Sequence, residues 1–379
     1  MTDTPYTPAR GASFFDVDFD QTPFTLAWEI TRACGLACLH CRAEAMPFRD
    51  PDELTTQEAF DMIDQVVDLG GPILVVTGGD PLMRPDVYDL LRYAVSQDLR
   101  VALSPSATGK LTRSALERVK AAGTHMLHLS LDGATAETHD RFRGVRGSYE
   151  RTIARMRDAA ELDLLLQIGT TVSRHNLAEL AAIGERVAEI GATVWTVFFL
   201  VPTGRGQARD MLSASEHEQV FAWLYDHALT APFHVRTIAA QHYRRVVIQA
   251  QNAAALATEQ PRWEYTGTGF SARVHKRASA MRGVNDGNGF CFVSNIGDVY
   301  PSGFLQIKAG NVREQTLSEI YRDSPLFRDL RDPSQLKGKC GACEYRAVCG
   351  GSRARAYAMT GDHLASDPSC VYTPRAVAR

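Results

Sequence analysis

The chain has 379 residues, with 41 Lys and Arg against 44 Asp and Glu, which gives a formal net charge of −3. This near balance argues against non-specific nucleic-acid binding, which needs an excess of basic residues. Hydrophobic residues make up 45% of the chain and charged residues 22%, a composition typical of a globular protein and not of a disordered or fibrous one.

No part of the sequence indicates export or a membrane span. Residues 1–18 have neither a basic start nor a long apolar run, so no secretory signal is predicted. The longest strongly apolar run, residues 194–201, is too short to cross a bilayer. We therefore expect a cytoplasmic protein without a membrane or nucleic-acid partner.

Short β-rich runs alternate with helical patterns through the first two thirds of the chain, which predicts βα units around a parallel sheet. The predicted strands are Thr25–Thr31, Ile73–Thr77, Arg100–Ser104, His125–Leu131, Leu164–Thr171 and Val194–Leu200. The predicted helices are Thr56–Leu69, Pro85–Gln97, Thr112–Ala122, Ser148–Leu162, Ala178–Ile190 and Glu216–Ala228. Two helix starts have capping-box spacing, Thr55 with Glu58 and Ser215 with Glu218. Six units fall short of a closed barrel, so the predicted fold is α/β, a partial (β/α)6 TIM-like barrel with its site at the carboxyl ends of the strands.

Four regions are predicted along the chain. Residues 1–23 form an N-terminal extension, residues 24–230 the partial barrel, and residues 231–289 a bridging region that partly wraps the substrate. Residues 290–379 are rich in Cys, Gly, Arg and Asp, with one helix candidate at Thr316–Tyr321 and another after Cys349. Because this last region is too short to bury much apolar surface, we expect a metal to organise it as a small cysteine-rich domain.

Eight cysteines in a chain with no export signal indicate metal binding rather than disulfides. Cys34, Cys38 and Cys41 form a C-x3-C-x2-C motif after the first strand, and Cys291 stands alone. The C-terminal group consists of Cys340, Cys343, Cys349 and Cys370. Three thiolates can hold three irons of a four-iron cluster and leave the fourth iron open to a small molecule, whereas four thiolates ligate a cluster completely. Zinc is the alternative at both sites, and three unrelated buried thiols are a further alternative at the first.

The first motif resembles that of the radical S-adenosylmethionine (AdoMet) superfamily. There the open iron holds the methionine part of AdoMet, and one electron breaks the sulfonium bond to release a 5′-deoxyadenosyl radical that abstracts a substrate hydrogen. The resemblance implies that Cys34, Cys38 and Cys41 bind a [4Fe–4S] cluster. It also implies that His40 lies near the adenine, where the superfamily usually has an aromatic residue.

Residues at the ends of later strands match further parts of the same superfamily. The turn Gly-Gly-Asp-Pro at residues 78–81 stands where Gly-Gly-Glu-Pro is usual, and the shorter aspartate puts a direct carboxylate role in doubt. Ser130 and Asp132 can form hydrogen bonds with the ribose, and Arg143 can pair with the methionine carboxylate. The alternative for these three residues is helix capping and surface ion pairing. The implied AdoMet-binding residues are His40, Gly78, Gly79, Asp80, Pro81, Ser104, Ser130, Asp132 and Arg143.

The C-terminal cysteines resemble the SPASM auxiliary-cluster domain, which usually carries seven cysteines and two clusters. This sequence departs from it twice, with Ser302 and Arg353 where cysteines are usual. The resemblance therefore implies one auxiliary [4Fe–4S] cluster, held by Cys340, Cys343, Cys349 and Cys370. Cys291 is left over, as a buried structural thiol, a hydrogen-atom donor or a ligand.

Within the superfamily, three segments look closest to enzymes of haem d1 and alternative haem biosynthesis, namely residues 27–45, 198–206 and 349–356. The resemblance as a whole spans residues 24–210 and 290–372. This implies decarboxylation of a tetrapyrrole propionate, with the remaining electron leaving through the auxiliary cluster and with ferredoxin or flavodoxin as electron donor. Arginines suit the carboxylates of such a substrate. The arginines in regions that could face the barrel are Arg205, Arg209, Arg236, Arg244, Arg245, Arg353 and Arg355.

Two alternative functions remain open at the level of sequence. Many SPASM proteins modify a small precursor peptide, usually with an N-terminal peptide-binding module for which residues 1–23 leave no room. Such a module can also be a separate protein. A non-enzymatic iron–sulfur or zinc scaffold is the other alternative, and loss of AdoMet cleavage in Cys34→Ala would distinguish a catalyst from it.

Overall fold

The structure is a computed structural model that describes residues 17–258, 264–266, 271–273 and 283–377. Predictions for residues 1–16 of the N-terminal extension lie outside the described residues. The same holds for residues 259–263, 267–270 and 274–282 of the bridging region. No helix among the described residues is both long enough and apolar enough to cross a membrane.

Seven parallel strands follow one another along the chain and across one sheet. They are β1 (Thr25–Glu29), β2 (Ile73–Thr77), β3 (Val101–Leu103), β4 (Met126–Ser130), β5 (Leu166–Val172), β6 (Val194–Phe199) and β7 (His234–Ile238). A separate pair consists of β8 (Glu264–Thr266) and β9 (Ser271–Arg273). The C-terminal region adds β10 (Phe290–Val293), β11 (Asp298–Tyr300) and β12 (Gly310–Asn311). Strand β10 pairs in parallel with β1, and β11 and β12 continue the sheet in antiparallel fashion.

The predicted α/β fold is confirmed, and the sheet extends beyond the six predicted strands at both edges. All six are present, with ends shifted by at most two residues. The seventh strand, β7, comes from the predicted bridging region, and its short polar sequence is stabilised by pairing with β6. At the other edge, β10 joins the predicted C-terminal domain directly to the barrel sheet through β1.

Helices follow most of the parallel strands. Those of the barrel are α1 (Thr56–Asp68), α2 (Val87–Ser96), α3 (Arg113–Ala121), α4 (Ala136–Arg143), α5 (Ser148–Glu161), α6 (Leu180–Ile190), α7 (Ala214–Thr230) and α8 (Tyr243–Thr258). The C-terminal region contains α9 (Leu317–Asp323), α10 (Pro325–Arg331), α11 (Gly338–Gly341) and α12 (Arg353–Thr360).

One of the two predicted capping boxes is confirmed and the other is wrong. Thr55 and Glu58 cap α1 as predicted. At α7, however, the box is formed by Ser213 and Glu216, so the helix begins two residues before its predicted start. Ser213 and Ser215 each precede a glutamate by three positions. Ser213 forms the cap because its extended backbone points its hydroxyl at the first turn of α7.

The two faces of the sheet have different neighbours, because successive side chains of a strand point to opposite sides. One face packs under the helices in the main hydrophobic core, with Leu26, Trp28, Leu74, Val76, Leu103, Leu127 and Leu129. The other face lines a cavity, with Ala27, Val75, Thr77, Ser104, His128, Ser130, Gln167, Gly169, Thr171, Thr196 and Phe198. The polar residues of the strands therefore lie mainly toward the cavity.

Candidate active site

A cavity of about 460 Å³ lies on the inner face of the sheet. Its size is in the range of small-molecule sites. The three cysteines of the first motif lie in its wall, and residues 302–304 of the C-terminal region also line it. The cavity is therefore built jointly by the barrel and the C-terminal region.

The three cysteines lie in the cluster loop, residues 30–46, which follows β1. Backbone N–H groups point at two of the sulfurs, from Leu36 to Cys34 at 3.4 Å and from Ala45 to Cys41 at 3.5 Å. Burial raises the pKa of the Cys34 and Cys38 thiols. Buried thiols of this kind ionise when a metal binds them, and the N–H groups then stabilise the thiolates. The loop therefore fits an iron–sulfur cluster facing the cavity.

The glycines of the 78–81 turn pack directly against the cluster loop. A Cβ on Gly78 would lie 2.6 Å from the carbonyl oxygen of Thr31, and one on Gly79 would lie 2.5 Å from that of Ala33. The turn also donates two hydrogen bonds to the loop, from Gly79 N to Thr31 O and from Asp80 N to Ala33 O, both 2.7 Å. Since glycine alone tolerates this approach, the two residues support the cluster loop as well as line the cavity.

Asp80 is fully buried, and its carboxylate has protein partners. It accepts hydrogen bonds from the Thr108 hydroxyl at 2.7 Å and from Ser106 N at 3.4 Å. Burial raises the pKa of this carboxyl group. Neither Asp80 nor Pro81 lines the cavity. The structure thus gives Asp80 a positioning role under the residues that follow β3, and its contact with AdoMet stays a prediction.

Asp132 and Arg143 are paired with each other at 2.5 Å. Asp132 also accepts a hydrogen bond from Thr171 N at 2.6 Å, and it is fully buried outside the cavity lining. Arg143, at the end of α4, lines the cavity and lies 3.6 Å from the sulfur of Cys38. The sequence predicted cofactor contacts for both residues but missed their pairing, which neutralises the arginine.

Of the remaining predicted contacts, His40, Ser104 and Ser130 all line the cavity. The ring of His40 stacks on Phe142 with centroids 4.4 Å apart, and its Nδ1 is buried without a hydrogen-bond partner among the described residues. Burial, aided by nearby arginines, lowers the pKa of His40 well below its usual range. Its flat, neutral ring is thus suited to the predicted stacking near an adenine.

His128 is a cavity residue that sequence reasoning missed. Its Nδ1 shares a 2.8 Å hydrogen bond with the Ser104 hydroxyl, and burial lowers the pKa of His128 to about 4. Its ring lies over Gly169, where a Cβ would come within 2.3 Å of Nε2. The available signal was the period of two in β4, which places His128 on the same face as Ser130.

The four C-terminal cysteines lie around one small pocket, which is lined by Cys340, Cys343, Cys349 and Cys370 together with cationic and aromatic residues. Gly351 N lies 3.3 Å from the Cys349 sulfur, and Asp367 N lies 3.4 Å from that of Cys340. Burial raises the pKa of Cys349 to about 12. Within the described ranges, no three His, Cys, Asp or Glu side chains surround a single point at metal-ion distances. The thiolates of a four-iron cluster bind separate irons and need not meet at one point.

The two positions that depart from the usual SPASM pattern are occupied by residues with local partners. The Ser302 hydroxyl accepts hydrogen bonds from Phe304 N and Leu305 N at 3.2 and 3.1 Å. The buried Arg353 donates to the Ala365 carbonyl at 2.7 Å, and its Nη2 lies 3.8 Å from the Cys340 sulfur. Both side chains therefore have structural contacts in place of a cluster.

Cys291 lies in the hydrophobic core. It is fully buried in β10, and burial raises the pKa of its thiol strongly. Its neighbours Phe290 and Phe292 line the cavity, so the Cys291 side chain points to the opposite face of the sheet. Of the three predicted alternatives, this placement favours the buried structural thiol.

Comparisons with known proteins identify two iron–sulfur protein families in the chain. A family model for the radical SAM superfamily matches residues 28–187, and one for the SPASM iron–sulfur cluster-binding domain matches residues 285–344. The AdoMet-dependent heme synthase of Methanosarcina barkeri is 44% identical over 93% of this chain and 97% of its own length. The chain belongs to the radical SAM superfamily.

One further relative and one solved structure are similar to the chain over most of its length. The pre-heme d1 synthase of Dinoroseobacter shibae is 30% identical over 91% of this chain and 85% of its own. Among solved structures, Streptococcus suis SuiB bound to its precursor peptide SuiA superimposes with a TM-score of 0.70 at 17% identity, covering 93% of this chain and 76% of that one. The likeness to SuiB is one of fold.

As a radical SAM enzyme, the protein binds AdoMet and a [4Fe–4S] cluster, and its SPASM domain is an auxiliary iron–sulfur cluster domain. The residues present fit these groups, because buried thiols with N–H···S contacts occur at both sites and the first site opens into the cavity. The assignment of individual ligands and AdoMet contacts stays a prediction that variants can test.

Proposed function

We propose that this radical SAM enzyme decarboxylates propionate side chains of an iron-containing tetrapyrrole in haem-type cofactor biosynthesis. The relationship to the M. barkeri heme synthase, which extends over nearly the whole of both chains, carries this proposal. We place the reaction in the cytoplasm, with a ferredoxin or flavodoxin as electron donor. The charge and shape of the cavity support the same substrate.

The charged residues that line the cavity are almost all cations. Within the described part of the chain they are Arg42, Arg100, Arg143, Arg205, Arg236, Arg244 and Asp286. Asp286 is buried and accepts a hydrogen bond from Ala354 N at 3.0 Å, so it already has a protein partner. An excess of guanidinium groups suits a substrate with several carboxylates, which arginine binds through paired hydrogen bonds.

The arginines predicted to face the substrate divide into two groups. Arg205, Arg236 and Arg244 line the cavity. The other four do not line the cavity, since Arg209 is exposed outside it, Arg245 lines the auxiliary-cluster pocket, and Arg353 and Arg355 are buried in the C-terminal region. Phe198, Phe292 and Phe304 add aromatic faces to the cavity, which suit a flat macrocycle.

When bound, AdoMet and its cluster supply a radical that abstracts one hydrogen atom, and the auxiliary cluster supplies an acceptor for the electron left behind. Loss of one hydrogen atom, one electron and carbon dioxide converts a propionate side chain to a vinyl group. The chain itself binds the carboxylates through its arginines and keeps the reacting carbon beside the cluster loop.

Anaerobic reconstitution followed by an iron count and turnover tests the proposal. With reductant, AdoMet and iron-coproporphyrin, we expect 5′-deoxyadenosine and a porphyrin lighter by one carbon dioxide and two hydrogens per propionate. About eight irons are expected in the wild type and about four in Cys340→Ala, which should still form the nucleoside. Cys34→Ala should form none. Cys291→Ala serves as the matched control and should keep both iron and product.

An unchanged porphyrin mass, in a preparation that does form 5′-deoxyadenosine, would contradict the proposal and direct the search to a peptide substrate. A wild type with about four irons and zinc at the second site would leave the radical chemistry intact but remove the proposed electron acceptor.

A further inference from the structure

Arg205 differs from the other arginines of the cavity in its hydrogen bonding. Its Nε and Nη2 are buried, and neither has a hydrogen-bond partner among the described residues. In contrast, Arg42 pairs with Glu29 at 2.9 Å, and Arg143 pairs with Asp132 at 2.5 Å. A buried charged donor without a partner costs free energy, so this guanidinium lacks the anion that would satisfy it.

The backbone holds Arg205 beside the third cluster cysteine. Arg205 N donates to the Cys41 carbonyl at 3.0 Å. The preceding Gly204 has a φ of +60°, and a Cβ there would lie 2.5 Å from the carbonyl oxygens of Cys41 and Arg42. Because glycine permits both this conformation and this close approach, residues 204–205 pack directly against the cluster loop. Arg205 itself lines the cavity.

An anion that enters the cavity would supply the partner that these nitrogens lack. A planar guanidinium with free N–H groups on adjacent nitrogens matches the two oxygens of a carboxylate. AdoMet and the proposed substrate each carry carboxylates, and neither carries a phosphate. Asp286, the acidic residue of the described cavity lining, already accepts a hydrogen bond from Ala354 N.

We infer that Arg205 binds a carboxylate at the cluster end of the cavity, contributed either by the methionine part of AdoMet or by a side chain of the substrate. Assigning the carboxylate to the substrate rests on the proposed function, whereas assigning it to AdoMet does not. In both cases Arg205 orients its ligand relative to the cluster loop, because its own backbone is bonded to that loop.

Equilibrium binding to the reconstituted holoenzyme tests the inference. The variants are Arg205→Gln, which removes the charge, and Arg205→Lys, which keeps the charge but not the paired N–H groups. The matched control is Arg209→Gln, since Arg209 lies on the same segment but is exposed outside the cavity. Labelled AdoMet is titrated without substrate, and iron-coproporphyrin and its tetramethyl ester are titrated by absorbance.

We expect Arg205→Gln to weaken the binding of one ligand by about 10- to 100-fold, as for loss of a hydrogen-bonded charged group. Weaker AdoMet binding with unchanged porphyrin binding assigns the cofactor carboxylate. Weaker binding of the porphyrin assigns a substrate carboxylate, provided that the variant binds the tetramethyl ester as tightly as the wild type does. Arg209→Gln should change neither affinity.

A change of less than about twofold for both ligands, at wild-type iron content, would overturn the inference. Should Arg205→Gln lose iron, Arg205→Met takes its place as a variant without the charge, and wild-type affinity for both ligands in that variant overturns the inference equally. A wild type that binds no porphyrin contradicts the proposed function, and the AdoMet titration alone then decides whether Arg205 binds a carboxylate.

Discussion

Replacement of Asp367 by Asn should destabilise the whole chain through a buried ion pair. Asp367 lies 3.1 Å from Arg355 Nη1, and both side chains are fully buried. Its carboxylate also accepts hydrogen bonds from Ser352 N at 2.8 Å and Ser369 N at 3.0 Å. Although burial opposes ionisation, Arg355 and His242 hold the pKa of Asp367 well below its usual range. The side chain is therefore charged in the folded protein.

The expected loss of stability follows from the burial of the Asp367–Arg355 ion pair. Removing one partner of a buried ion pair costs about 3–5 kcal/mol, because the other charge is left uncompensated. An unfolding entropy of about 2.1 cal/mol/K per residue gives about 0.8 kcal/mol/K for a cooperative unit of 379 residues. We therefore expect Asp367→Asn to lower the Tm by about 4–6 °C.

Anaerobic thermal unfolding followed by circular dichroism measures this shift. The double variant Asp367→Asn with Arg355→Met should recover most of the lost Tm, because it leaves no unpaired buried charge. Since Asp367 N also contacts the Cys340 sulfur at 3.4 Å, iron loss on heating should begin at the auxiliary site. A Tm within about 1 °C of the wild type for Asp367→Asn, or a double variant less stable than the single one, would refute the reasoning.

Three further substitutions test other parts of the structure. Gly79→Ala should lower the unfolding free energy by about 1–3 kcal/mol and lower the iron content, because the new Cβ would collide with a cluster-loop carbonyl. The control Gly109→Ala should change neither quantity, because a Cβ at that position meets open space. Cys291→Ser should lower the unfolding free energy by about 1–3 kcal/mol by placing a hydroxyl in the core, while the iron content and 5′-deoxyadenosine yield stay at wild-type values. Ser213→Ala should lower the unfolding free energy by about 1 kcal/mol, measured by chemical denaturation, because the α7 cap is lost. An equal loss of unfolding free energy in Ser215→Ala would contradict the observed capping box.

Several contacts of the site could not be predicted because they join different elements of the fold. The pair Asp132–Arg143 depends on how α4 packs beneath the cluster loop, and the interaction of Ser104 with His128 joins two neighbouring strands. The support that Gly79 gives to the cluster loop is likewise a contact between two separate turns. Propensity and spacing describe single segments, so these pairings have no signature along the chain.

Local patterns nevertheless determined much of the protein. Alternating β-rich and helical runs predicted six parallel strands to within two residues, because periodicity reports which face of each element is buried. The spacing of Cys34, Cys38 and Cys41 predicted a metal site, since ligands close together in sequence can meet without help from the rest of the chain, and the resemblance to the radical AdoMet superfamily implied the kind of cluster. Tertiary packing alone decided the remainder. It added β7 and β10 to the sheet, turned Cys291 into the core, and left two buried side-chain nitrogens of Arg205 without a hydrogen-bond partner among the described residues. These outcomes depend on which residues become neighbours when the strands assemble into one sheet.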